Sequence, residues 1–338
     1  MRGRTIIKAV GAALLMTPSL AGAATLAASK PTVRALAAEE ARLAAMAYRM
    51  ATANSDLCVS PKMTTGLIVH DLSQYHPSRR GDVARAFSLG AGFGVLQVVD
   101  GSAASRAGLR IDDEILGVGP ISVVDPSLSS RGQSFQRVQG FADILQAQLS
   151  KGPAELRVRR NGQLTSVVLT GERGCGGELS LSHSGSRNAW ADGRHIVVTT
   201  AMTDFAASDD EIAFVIAHEM AHNILNHSHA GSKSGFFGRL NSRKLELDAD
   251  NLGVSIMARA GYEPRAGISF LERSQKRMWW GGLSLSHPSF GKRLQKVAEA
   301  IWNWQSESSR NQEAHLSPAP AKIHIASMDE SLRAASIR

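Results

Sequence analysis

The chain has 338 residues, of which 43% are hydrophobic and 20% charged, with a formal net charge of +8. That length supports two ordinary domains, and that composition excludes an intrinsically disordered chain and a membrane-embedded one. The basic residues are dispersed, and Arg2, Arg4 and Lys8 sit in a leader without acidic residues, so nothing points to nucleic acid as a partner.

Residues 1–23 read as a secretory signal peptide: a basic start, a short apolar stretch, then Ala21-Gly22-Ala23 as a small-residue cleavage site. The apolar run is broken by Thr17, Pro18 and Ser19 and falls short of the ~20 residues that span a bilayer. The expectation is an exported, periplasmic protein with no transmembrane anchor after processing. In such a compartment Cys58 and Cys175, the two cysteines of the chain, are expected to form a disulfide.

Residues 24–62 contain an amphipathic helix, with Leu36, Leu43, Met46 and Met50 at helical spacing and a polar end near Asn54. From 64 to 172 short valine-rich runs alternate with glycine and aspartate, a mostly-β pattern, and Asn161-Gly162 is a two-residue hairpin signal. The segment "GFGVLQVVDGSAASRAGLRIDDEILGVGP" resembles a PDZ domain of the protease-associated kind. That resemblance implies capture of extended peptides or C-termini as an added strand, with Gly92, Phe93 and Gly94 as the carboxylate loop and residues 141–149 as the groove helix.

Residues 178–305 form a helix-rich domain led by one strand, "HIVVTT", and residues 306–338 read as a disordered polar tail. Within "AFVIAHEMAHNILNH", His218 and His222 lie one turn apart on one helix face, where both imidazoles reach a single ion, with Glu219 beside them. Ser208 and Glu211 form a capping box that starts this helix near Asp209. This is the HExxH spacing of zinc peptidases. A third histidine of the metzincin kind is excluded, because Leu225 and Ser228 hold those positions. The alternative is a carboxylate on a following helix, and "LELDADNLGVSIMARAGY" offers Glu246, Asp248 and Asp250: if Glu246 binds the metal, Asp250, one turn on, is placed to orient a ligand imidazole.

Together "HEMAH" and "ELDAD", with "NAWADGRHIVVTT", "MARAGYEPRAGISFLE" and "SHPSFGKRL" around them, resemble metallopeptidase family forty-eight, the gluzincin peptidases, in a BepA/HtpX-like form without transmembrane helices. The resemblance implies one zinc ion per chain on His218, His222 and Glu246, with Glu219 as general base. It places substrate along the strand at 195–199. His287 or Arg293 would then be an oxyanion donor, or His287 a mobile zinc ligand that holds the resting enzyme inactive. His227 matches a frequent position of that family or is simply solvated. The fold expected is α+β, a zincin-like peptidase domain with an inserted PDZ domain. The function expected is zinc-dependent endopeptidase action on envelope or misfolded proteins. The alternative is a peptide-binding chaperone or scaffold whose zinc site is structural or self-inhibited.

Overall fold

The computed structural model describes residues 33–126, 132–175, 177–227, 236–278 and 289–316. The leader at 1–23 and His287 lie outside the described residues. Two large hydrophobic cores and a small third cluster of Val83, Phe87, Leu89 and Leu96 organise the rest, and the chain passes from one large core to the other and back.

The first core is mostly helical. Helix α1 (Val33–Ala53) places Leu43, Met46 and Met50 against α6 (Asp209–Ile224) and α7 (Phe236–Arg259), with α8 (Ala266–Met278) and α9 (Phe290–Leu316) closing the other side. Its small sheet has the order β10 (Ala189–Ala191), β11 (His195–Thr199), β9 (Glu178–Ser182). Strand β11 pairs antiparallel with β10 and parallel with β9. Ile196 and Val198 of β11 turn inward to this core, and the short α5 (Thr200–Phe205) follows, capped by the Thr199 hydroxyl. At the end of α1, Asn54 is fully buried because its amide donates to Met50 O at 2.9 Å and to Ile256 O at 3.0 Å. The polar end of the first helix is thus a link to α7.

Between Cys58 and Cys175 the chain builds the second core. Strands β2 (Leu67–His70), β3 (Phe93–Val98), β4 (Glu114–Val118), β6 (Ala154–Arg160) and β7 (Gln163–Leu169) form a sheet in that order, with β5 (Ile121–Ser122) beside β4. Asn161 and Gly162, with φ of 51° and 79°, make the β6–β7 turn, so that Arg160 faces Gln163. Helices α2 (Arg80–Phe87) and α3 (Ala103–Arg106) fill the connections, and α4 (Gln136–Leu149) buries Phe141, Leu145 and Leu149 on the sheet. The segment begins and ends on one two-stranded ladder, β1 (Lys62–Thr64) with β8 (Glu172–Gly174). Cys58 and Cys175 are bonded just outside it, their Cα atoms 5.6 Å apart.

Two sequence expectations change here. Phe93 and Gly94 lie in β3, directly after Gly92, and β3 is paired on both sides, by β2 and by β4, so a peptide strand cannot be added to β3 itself. The glycines are required by close approach instead. A Cβ at Gly92 would stand 2.5 Å from Ile115 O, one at Gly94 would stand 2.6 Å from His70 Nε2, and Gly92 N already donates to Glu114 Oε1 at 2.8 Å. The polar segment after residue 305 is also helical as far as Leu316. Its side chains help: the Ser306 and Ser309 hydroxyls and Arg310 Nε each donate to the carbonyl four residues back. Residues 317–338 lie outside the described residues. Among the described residues no helix is long and apolar enough to cross a membrane.

Candidate metal centre

Helix α6 starts where the Ser208 hydroxyl accepts Glu211 N, and the Glu211 carboxylate accepts Ala207 N at 2.8 Å and pairs with Arg273. From that anchor, Ile212, Phe214, Ile216 and Met220 are driven into the core, which leaves His218 and His222 on the face toward α7. Glu246 and Asp250 lie one turn apart on α7, and they reach opposite sides of the His218 ring.

The donor atoms of His218, His222 and Glu246 all lie within 4.8 Å of one another. His218 Nε2 is 3.1 Å from His222 Nε2 and 3.5 Å from Glu246 Oε2, and His222 Nε2 is 3.6 Å from Glu246 Oε1. Ligands at zinc's usual bond lengths occupy corners of a tetrahedron with edges of about 3.3 Å. Three observed edges that straddle that value make this donor set fit zinc, with the fourth corner left for water or substrate. Glu219, half-buried, follows His218 directly on the same helix.

The far nitrogens of both imidazoles also have close polar neighbours. His218 Nδ1 lies 3.0 Å from Oδ1 of the fully buried Asp250. Arg293, from the first turn of α9, grips that carboxylate with both arms, Nε to Oδ2 at 2.8 Å and Nη2 to Oδ1 at 2.6 Å. His222 Nδ1 lies 2.9 Å from Nδ1 of His227, which is 9% exposed, so His227 is not a solvated histidine. Burial opposes charge on His218, but Asp250 and Glu246 outweigh it and raise its pKa well above the ordinary histidine range. At His222 burial, then the charge on His218, lowers the pKa. Burial would also neutralise Asp250, yet the hydrogen bonds from Arg293 and His218 keep it ionised. The carboxylates therefore favour one concentrated positive charge between the two rings.

The expected oxyanion role of Arg293 changes accordingly. Two of its three nitrogens are committed to Asp250, because α9 packs along α7 and aims the guanidinium there. His287 falls outside the described residues. The strand expected to receive substrate changes as well: β11 is covered on both sides, and among the described residues the unpaired edge beside α6 is that of β10. Sequence reading also passed over Gly253, seven residues after Glu246 and on the same face of α7. A Cβ there would stand 3.2 Å from His218 N, so the absent side chain is what lets α7 close on the ligand helix.

Residues 176–233 and 231–301 match the family model "Peptidase family M48". A mitochondrial metalloendopeptidase OMA1 of Arabidopsis thaliana is 33% identical over 135 residues, covering 31% of this chain and 27% of the relative. Its namesake in Saccharomyces cerevisiae is 27% identical over 141 residues, covering 32% of this chain and 41% of the relative. The Schizosaccharomyces pombe protein of that name is 29% identical over 154 residues, covering 36% and 46%. The chain thus spans from about a quarter to just under half of the length of these relatives. All three are mitochondrial proteins, which overturns the expectation of an exported, periplasmic chain.

Proposed function

We propose that residues 176–301, which match the family model "Peptidase family M48", form a zinc metalloendopeptidase domain, and that the chain hydrolyses internal peptide bonds of protein or peptide substrates. The observation that carries this reading is the convergence of His218, His222 and Glu246 with Glu219 beside them. His218, His222 and Glu246 would hold the zinc, which when bound would supply Lewis acidity to the scissile carbonyl and to water near neutral pH. Glu219 takes the proton of the attacking water and delivers it to the leaving amine. Asp250 orients His218 and is itself held by Arg293, while His227 orients His222.

The three-residue strand β10 accepts the substrate as an extended chain along its free edge, next to the ligand helix. Selection of substrate falls to the inserted unit, which we read as a PDZ-like peptide receptor whose accepting strand is β2. Leu67 and Val69 of β2 and Val138 and Ile144 of α4 pack against the core of the inserted unit, and among the described residues the outer edge of β2 has no paired strand. Arg137 of α4 ties to the buried Asp71 just past the end of β2. Weakened binding of a fluorescent C-terminal peptide to Val69→Lys tests that assignment.

The deciding experiment for the peptidase reading is Glu219→Gln. Casein cleavage should fall by about 10²–10⁴-fold with zinc content unchanged. Cleavage at the wild-type rate would overturn the proposal. A wild-type protein that holds zinc and cleaves nothing would favour the scaffold with a closed metal site.

A further inference from the structure

The hairpin that carries β10 is held from two sides. Its turn, Asp192-Gly193-Arg194, is closed internally by the Asp192 carboxylate, which accepts Arg194 N at 2.8 Å and His195 N at 2.7 Å. From below, Asn223 of α6 takes it by the backbone: its Oδ1 accepts Gly193 N at 2.7 Å and its Nδ2 donates to His195 O at 3.3 Å. Asn223 is the residue immediately after the metal ligand His222. From the other side, Arg194 Nη2 reaches Oδ1 of Asp143 on α4 at 2.7 Å.

A strand of three paired residues has little ladder to fix it. Its height above the metal is set by whatever holds its turn. Misplacing a reacting group by about 1 Å can cost about 10²-fold in rate, so that height matters to the chemistry. An amide that spans donor and acceptor of one turn fixes both distance and tilt, and in this fold the amide belongs to the ligand helix itself. The Arg194–Asp143 pair adds a second reference point on the helix that lines the inserted receptor. Its side chains are 33% and 63% exposed, so it adds little to stability and its removal leaves folding intact.

We propose that Asn223 is a positioning residue that sets the substrate-accepting strand β10 in register with the metal ligands, and that Arg194 makes this register depend on α4 through Asp143. The inference rests on the peptidase reading above.

The test compares two fluorogenic peptides, one long enough to lie along β10 and one reaching only the residues that flank the scissile bond. Asn223→Ala should lower kcat/KM for the long peptide by about tenfold, mainly through KM, and leave the short one within about twofold at equal zinc content. Arg194→Gln and Asp143→Asn should each lower the long-peptide value by about three- to fivefold. The double variant should fall no further than either single. Equal losses on both peptides, or losses that follow zinc content, would overturn the role of Asn223. Losses that multiply in the double variant would overturn the link to α4. If Asn223→Ala does not fold, the two surface variants still decide, because no selective loss of the long peptide in either would sink the proposal. Undiminished activity of Glu219→Gln would instead remove the peptidase reading and leave the hairpin question separate.

Discussion

Gly253 of α7 lies against the backbone of His218, so close that an added methyl carbon would stand 3.2 Å from His218 N and 3.3 Å from its Cα. Gly253→Ala must therefore push α7 outward by a few tenths of an ångström and carry Glu246 and Asp250 with it. Overpacking of this kind costs about 1–3 kcal/mol of stability. The sharper effect is on the metal: zinc affinity, measured by competition with a chromogenic chelator, should weaken by about tenfold, the low end of what disturbed ligand support costs. Unchanged affinity would mean that the helices give way elsewhere.

Replacing Arg293 separates two roles. Arg293→Met strips the buried Asp250 of its guanidinium partner and leaves it facing His218, which should cost about 3–5 kcal/mol of stability and lower zinc affinity by about 10–100-fold. An oxyanion donor would give a different result, a fall in kcat with stability and zinc affinity intact. Denaturation curves together with zinc titration distinguish the two.

Glu40 gives a pH signature away from the metal. Burial raises its pKa from 4.5 to about 6, against the opposing effect of the Leu181 backbone hydrogen bond. Between those values the folded chain binds more protons than the unfolded one, so stability falls as pH rises through the window. The loss amounts to about 2 kcal/mol above pH 6. Glu40→Gln, which stays neutral, should therefore raise the melting temperature at pH 7.5 and hardly change it at pH 4. A destabilised variant at pH 7.5 would show that the ionised carboxylate has a partner the protein needs.

The Cys58–Cys175 bond closes an interval of 117 residues. In the chain-entropy treatment that is worth up to about 4–5 kcal/mol, less any cost in the native state. The double variant Cys58→Ser/Cys175→Ser should melt at a clearly lower temperature, and unreduced denatured wild-type protein should yield no titratable thiol.

The parts of the site that could be read in the sequence are those written in local spacing. His218 and His222 share a face because they are four residues apart in one helix, and Ser208 marks where that helix begins. Asn161-Gly162 dictates its own turn for the same reason. What could not be read depends on which strand lies next to which. Gly92 and Gly94 carry the composition of a binding loop and of a crowded sheet equally well, and only the pairing of β3 on both sides decides. The edge beside α6 belongs to the short "AWA" rather than to the strongly β-prone "HIVVT", because β9 returns to cover the latter. Arg293 and Asp250 are 43 residues apart, and no local pattern joins them. His227 and Gly253 leave faint signals, a histidine five residues after the second ligand and a glycine seven residues after Glu246, and each gains meaning only from what it packs against.

The β1–β8 ladder and the adjoining cysteine pair bring the two ends of the inserted segment side by side. A stretch whose ends already touch can be cut away and the gap closed with a tight turn, or another recognition unit spliced in, while the helices that hold the ligands keep their packing. On the proposed reading, choice of substrate and cleavage of the bond would then be separable apart from the Arg194–Asp143 link between the two units. New specificities could be acquired by exchanging the cassette, with no change to the residues that perform the hydrolysis.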